Sequence, residues 1–149
     1  MLVAREIMTT QIITVTPQTP VRELAQILAA NNIGGAPVVD EGGKLLGVVT
    51  ESDLIDQTKK VHIPTVVAIL DSLIFLERPD KMEKDIRKIA GTVVGDIYTP
   101  NPLTVGEETP LDEIATVMAK KHVHTLPVLR DGKLVGVIGK GDIIKTLIP

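Results

Sequence analysis

Leu45-Leu46-Gly47-Val48-Val49-Thr50-Glu51-Ser52-Asp53-Leu54 returns 89 residues later as Leu134-Val135-Gly136-Val137-Ile138-Gly139-Lys140-Gly141-Asp142-Ile143. In each, an apolar, β-branched run is broken by one glycine and ends in a short polar turn that carries an aspartate. Such a run reads as a strand, and the residues after the turn as the start of a helix. Immediately upstream lie two further apolar runs, Pro37-Val38-Val39 and Val128-Leu129. Asp40-Glu41-Gly42-Gly43 separates the first pair of runs and Arg130-Asp131-Gly132-Lys133 the second, which is a hairpin signal in both places.

The repetition continues outward. Pro37-Val38 matches Pro127-Val128, Thr19-Pro20 matches Thr109-Pro110, Thr14-Val15 matches Thr104-Val105, and Ile7-Met8-Thr9 matches Ile97-Tyr98-Thr99, all at an offset of 90. The offset falls to 89 after the hairpin because the second turn is one residue shorter. Repeated order and spacing mean two copies of one supersecondary unit. A unit of roughly 50 residues is too small to bury a good core alone, so the copies are expected to pack together.

Each copy reads strand, helix, strand, strand, helix. In the first, Ile12 to Val15 is a short β-branched strand. Thr19 is the expected helix N-cap, with Pro20 at the first helical position. Val21, Leu24, Ala25, Ile27 and Leu28 recur at helical spacing, and Asn31-Asn32 marks the stop. Ser52 onward starts a second helix. In the second copy Thr109 caps, Pro110 follows, and Asp112 places a negative charge in the first turn. Leu111, Ile114, Ala115, Met118 and Ala119 form that helix's apolar face.

The expected organisation is repeat 1 over 1–56, a helical connecting segment over 57–94, and repeat 2 over 95–149. Within the connecting segment, Ile63 to Leu76 reads as a helix, Arg78-Pro79-Asp80 as a break, Lys81 to Ala90 as a charged helix, and Gly91 as its end. Ile63 to Leu76 is apolar on all sides, so it is expected either deep between the repeats or against a second subunit. Its 14 residues, with Asp71 and Ser72 among them, fall short of the about 20 apolar residues of a membrane span.

Composition narrows the function classes. The net charge is −3 and only Phe75 and Tyr98 are aromatic, which argues against electrostatic or stacking recognition of nucleic acid. With no cysteine there is no disulfide, thiolate metal site or cysteine nucleophile. The first residues lack the apolar core of a secretory signal. The expected location is the cytoplasm. Gly-x-Ser-x-Gly, phosphate-loop, dinucleotide-fold and His-Glu-x-x-His patterns are all missing, so no enzyme is expected.

The repeated residues resemble the cystathionine-β-synthase (CBS) domain, and the chain resembles a stand-alone CBS pair, or Bateman module. The resemblance rests on Ile7-Met8-Thr9, Thr14-Val15, Thr19-Pro20, Ala36-Pro37-Val38-Val39 and Gly47 to Leu54, with Gly136 to Ile143 as the second-copy counterpart. It covers nearly the whole chain outside the connecting region. It implies an α/β (α+β) fold of two βαββα units packed with pseudo-twofold symmetry. It also implies clefts that hold adenine nucleotides or related molecules, homodimers, and regulation rather than catalysis, signalled to an effector protein.

Candidate site residues follow from chemistry and resemblance together. A carboxylate can accept two hydrogen bonds, so Asp53 and Asp142 are each suited to clamp a ribose. The resemblance implies that role; capping of the following helix is the alternative, and the two are compatible. Thr50 adds a hydroxyl in the first copy, where the second has Gly139. His124 and Lys140 are suited to phosphate, while the equivalent Gly34 and Glu51 carry no positive charge, so any phosphate preference is expected to be asymmetric. The resemblance implies an adenine wall from Ile13, Thr14, Leu103 and Thr104, extended by Ala36, Pro37, Leu126 and Pro127. All of these would be core in any such fold. His122 and His124, placed on one strand, would point the same way, but with no third ligand no metal site is expected.

Three functions compete: a regulatory sensor of an adenosine-containing ligand (AMP, ADP, ATP, S-adenosylmethionine or a cyclic dinucleotide), a ligand-free homodimerisation module with degenerate sites, and a small hydrolase or transferase. The missing nucleophile and base argue against the last. No resident cofactor is expected.

Overall fold

The computed structural model describes residues 1–59 and 92–148. The helices expected over Ile63 to Leu76 and Lys81 to Ala90, the break at Arg78-Pro79-Asp80 and the stop at Gly91 lie outside the described residues.

Among these residues the elements run α1 (Ala4–Ile7), α2 (Val21–Asn31), β1 (Gly35–Val39), β2 (Leu45–Thr50), α3 (Glu51–Lys59), a 3-10 turn (Val94–Asp96), β3 (Thr99–Pro100), β4 (Val105–Gly106), α4 (Leu111–Lys121), β5 (Thr125–Arg130), β6 (Lys133–Gly139) and α5 (Lys140–Lys145). They form a mixed α+β structure with two three-stranded sheets, in the orders β1-β2-β3 and β4-β5-β6. Both hairpins fall where the turn chemistry put them. Asp40 Oδ1 accepts from the Gly42 and Lys44 amides at 2.9 Å each and closes the first. Asp131 and Gly132, both at positive φ, form the two-residue link of the second, as an Asp-Gly pair favours.

Asn32 ends α2 in the left-handed conformation, φ 51°. Both helices begin one residue later than the sequence indicates. Pro20 and Pro110 are the N-caps, and neither Thr19 nor Thr109 caps through its side chain. The cause is tertiary. Pro20 stays extended because it bridges Val93, and Pro110 because it bridges Val3. The threonine hydroxyls instead close the preceding turns, accepting from the Thr16 amide and the Gly106 amide at 3.0 Å each.

The strand expected over Ile12 to Val15 is also corrected. Only Val15 pairs, in parallel with Val38. Its amide donates to the Pro37 carbonyl at 3.0 Å and its carbonyl accepts from Val39 at 2.9 Å. Ile12, Ile13 and Thr14 belong to no strand.

Two separate apolar cores organise the chain, and each borrows residues from the other half of the sequence. Leu24, Leu28, Val38 and Val49 build the first core, which Val94 completes and against which Ile97 and Tyr98 pack. Ile114, Met118, Leu126, Val128 and Ile138 build the second, which takes Ala4, with Ile7 and Met8 against it. The lead-in to each repeat thus docks on the other repeat. Thr9 bridges Val137 of β6, as β3 pairs with β2. Ala4 and Arg5 donate backbone hydrogen bonds to the Thr109 and Glu107 carbonyls at 2.9 and 3.0 Å, which fasten α1 to the second repeat beside an exposed Arg5–Glu108 ion pair. Burial of apolar surface, at roughly 25 cal/mol per Å², makes this exchange stabilise the pairing of the copies.

Candidate functional site: a cleft between the repeats

Since each lead-in starts on one core and finishes on the other, it must cross the gap between them. Those crossings line a cleft of about 1010 Å³. Thr9, Gln11, Ile12 and Ile13 come from the first crossing, and Thr99, Asn101, Pro102 and Leu103 from the second. The ends of α2 and α4 and the turns before α3 and α5 supply the remaining walls.

Of the residues singled out in the sequence, Ile13, Pro37, Thr50, Leu103, His124, Lys140 and Asp142 line this cleft together. Asp53, Thr14, Ala36, Thr104, Leu126 and Pro127 are not among its lining residues. Ala36 and Leu126 are fully buried, one in each core, and Pro127 is buried as well. Side chains alternate along a strand, so Ala36 and Leu126 turn into their cores, while Pro37 and Pro127 share the opposite face, which at Pro37 lines the cleft. Thr14 and Thr104 are exposed.

Both aspartates cap helices. Asp53 Oδ2 accepts from the Thr50 amide at 2.8 Å and from the Thr50 hydroxyl at 3.3 Å. Asp142 Oδ2 accepts from the Gly139 amide at 2.8 Å. A carboxylate three residues inside a helix that reaches back to the N-cap amide satisfies a donor the helix cannot. For the half-buried Asp53, burial pushes the carboxyl above its ordinary 3.8, against the lowering effect of the two Thr50 bonds, while Asp56 adds repulsion in the same direction as burial. The outer oxygen of Asp142, Oδ1, accepts from the Thr9 hydroxyl at 3.1 Å.

The cleft is electrically lopsided. On the repeat 2 side stand His122, His124, Lys140 and Lys145; on the repeat 1 side stand Asn32, Gly34 and Glu51. The sequence singles out His122 only as a candidate metal ligand beside His124, and Lys145 and Thr9 not as site residues at all. The expectation that His122 and His124 share a strand is corrected. His122 is the C-cap of α4 at φ 53°, and β5 begins only at Thr125. Helix termination takes His122 out of the alternation that would align it with His124. Among the described residues, no group of three or more His, Cys, Asp or Glu is placed to hold a metal.

An apolar wall facing amides, hydroxyls, the Glu51 and Asp142 carboxylates, two lysines and two imidazoles suits a flat base carried on a sugar and an anionic group. Within this frame the class of the chain is settled by comparison. The CBS domain family profile matches residues 4–60 and 94–149. The chain belongs to the CBS domain family and carries two repeats.

Among relatives, the CBS domain-containing protein CBSX1, chloroplastic, of Arabidopsis thaliana is 34% identical over 143 residues, covering 90% of this chain and 58% of that protein. The chain thus spans less than two thirds of that relative. The crystal structure of CBSX2 in complex with AMP superposes with a TM-score of 0.73 at 28% identity, covering 99% of this chain and 97% of that one. The CBS domain pair of protein MJ0100, in complex with 5′-methylthioadenosine and S-adenosyl-L-methionine, superposes with a TM-score of 0.71 at 26% identity, covering 98% and 95%.

Proposed function

We propose that this chain is a regulatory module that binds an adenosine-containing ligand in the inter-repeat cleft and passes its occupancy to a partner protein. The observation that carries this reading is the cleft itself. About 1010 Å³ sits at the top of the range for small-molecule sites. Both crossings line it, so a ligand there touches the straps that join the two cores. Its apolar side at Ile13, Pro37 and Leu103 suits adenine, Asp142 suits ribose, and Lys140 with His124 suits phosphate. AMP, ADP, ATP, S-adenosylmethionine and cyclic dinucleotides share that pattern. Neighbours holding AMP, S-adenosylmethionine and methylthioadenosine support it.

The proposed role is regulatory rather than catalytic, because the sequence carries none of the nucleophile-elbow, phosphate-loop or metallo-hydrolase patterns. A homodimer is part of the proposal. Ile144, Leu147 and Ile148 are exposed at the end of repeat 2, and Ile55, at the position matching Ile144, is exposed on repeat 1. The same apolar position presented by both repeats suits a symmetric second copy. The cytoplasm is the proposed compartment, on the cysteine-free sequence. Among the described residues no helix is long and apolar enough to cross a membrane.

Calorimetric titration with AMP, ATP, S-adenosylmethionine and cyclic di-AMP tests the reading. Binding of at least one, between about −4 and −8 kcal/mol, is expected. Failure of all four favours the ligand-free dimerisation module, a reading that the placement of Asp53 outside the cleft lining supports.

A further inference from the structure

The two aspartates are equivalent in sequence, yet their hydroxyl partners come from different places. In repeat 1 the pattern Thr50-Glu51-Ser52-Asp53 supplies the hydroxyl locally: Asp53 accepts from both the amide and the side chain of Thr50. Repeat 2 has Gly139 at the Thr50 position, so the local hydroxyl is missing. Asp142 nevertheless accepts one amide, from Gly139 at 2.8 Å, and one threonine hydroxyl, from Thr9 at 3.1 Å. That hydroxyl arrives from 133 residues away in sequence.

Thr9 is held for this purpose by its backbone. Its amide donates to the Val137 carbonyl at 2.9 Å and its carbonyl accepts from the Val137 amide at 3.1 Å. Behind it, the buried Ala4 and the backbone hydrogen bonds from Ala4 and Arg5 to the Thr109 and Glu107 carbonyls fix α1 on repeat 2. A β-branched side chain on a pinned backbone has few rotamers, so the hydroxyl stays aimed. Thr9 and Asp142 both line the cleft.

We propose that Thr9, carried across from the lead-in of repeat 1, is the positioning residue of the repeat 2 half of the site, supplying the hydroxyl that Gly139 lacks and aiming the Asp142 carboxylate at a ligand ribose. The inference rests on the reading of the cleft as an adenosine site. It makes that half composite. Its carboxylate and its helix belong to repeat 2, its hydroxyl to the segment that ties the repeats together. Binding there is therefore linked to the docking of residues 1–9.

Rescue is the test. A Cβ at Gly139 would meet nothing nearer than the His124 carbonyl oxygen at 3.8 Å and Asp142 Oδ2 at 3.9 Å, so a side chain can begin there without a clash at its Cβ. AMP is titrated calorimetrically into the wild-type protein and into Asp142→Ala, Thr9→Val, Thr9→Ser, Gly139→Thr and the Thr9→Val/Gly139→Thr double variant. Thr9→Val is expected to weaken the Asp142-dependent binding by about five- to tenfold, the worth of one hydrogen bond to a partly exposed carboxylate. Thr9→Ser keeps the hydroxyl and wild-type affinity. Gly139→Thr in the Thr9→Val background restores most of the loss.

Unchanged or tighter binding by Thr9→Val overturns the inference, as does a Thr9→Ser loss equal to that of Thr9→Val. A Thr9→Val loss that Gly139→Thr fails to rescue overturns it too. In each of those cases the wild-type protein still binds AMP, and the proposed function stands. A wild-type protein that binds no AMP, and none of the other adenosine ligands, overturns the proposed function and this inference with it.

Discussion

Gly47 and Gly136 occupy the same position in the two repeats, and replacing each by alanine should have very different consequences. Both lie where a lead-in crosses a strand. A Cβ on Gly47 would press into the Thr99 carbonyl oxygen and lie 2.5 Å from Tyr98 Cδ2 and 2.7 Å from Tyr98 Cε2. The carbonyl is main chain and belongs to β3, which is held to β2 only through Gly47↔Pro100 and Val48↔Thr99. Relief requires β3 to move, which loosens Ile97 and Tyr98 on the first core. Overpacking of this kind costs about 3 kcal/mol.

At Gly136 the three atoms nearest the added Cβ all belong to the Met8 side chain: it would press on the sulfur and lie 2.8 Å from Cγ and 3.1 Å from Cβ. A flexible thioether can turn aside. Alanine also restricts the unfolded chain, which stabilises by about 0.4 to 1 kcal/mol. Gly136→Ala should therefore lie within about 1 kcal/mol of wild type. For a chain of this length 1 kcal/mol moves Tm by roughly 3 to 4 °C. Scanning calorimetry should show Gly47→Ala melting about 10 °C below wild type and Gly136→Ala within about 4 °C of it. Equal losses in the two variants, or a Gly47→Ala protein as stable as wild type, would refute the role given to the β2–β3 crossing.

Three other outcomes are expected. Because burial raises the Asp53 carboxyl above 3.8 in the folded protein, the wild type should gain most over Asp53→Asn in acid, below the ordinary carboxylate value, and lose that gain as pH rises through the raised value; melts of both proteins between about pH 3 and about pH 7 check the sign. Lys140→Ala should weaken AMP about two- to fivefold and adenosine hardly at all, since Lys140 is an exposed cation on the anion side, and added salt should erase the difference. Ile144→Asp and Leu147→Asp should each shift the protein from dimer toward monomer in light scattering, and an unchanged dimer in both would remove that face from the assembly.

Much of the fold was legible because it is local. Alternating apolar runs around Asp40-Glu41-Gly42-Gly43 and Asp131-Gly132 define both hairpins, and Asn32 ends α2 through its own left-handed backbone. What the sequence does not display is the exchange of lead-ins. Ile7-Met8-Thr9 is visibly repeated as Ile97-Tyr98-Thr99, but nothing local says that each packs on the other copy. The late helix starts at Val21 and Leu111 follow from that exchange, because Val93 and Val3 hold the two prolines extended. The short pairing at Val15 follows as well, since Ile12, Ile13 and Thr14 cross the gap and belong to no strand.

The site divides along the same line. Ile13, Thr50, Leu103, His124, Lys140 and Asp142 were readable by type and position, and the structure brings them to one cleft. Ala36 and Leu126 stand on the core side of their strands, a two-residue periodicity that an apolar run on both faces conceals. Thr9 could have been found by asking where repeat 2 replaces the hydroxyl lost at Gly139. His122 and Lys145 carry no comparable signal, because their approach to the cleft depends on where α4 stops and how α5 lies.

The most direct test of the account is a two-dimensional amide NMR titration with AMP, ATP, S-adenosylmethionine and cyclic di-AMP in turn. The cleft reading predicts that at least one ligand shifts the amides of Ile13, Thr50, Leu103, Gly139, Lys140 and Asp142, leaves those of Leu147 and Ile148 in place, and loses its repeat 2 shifts in Asp142→Ala. No shift with any of the four, or shifts confined to Leu147 and Ile148, would contradict it.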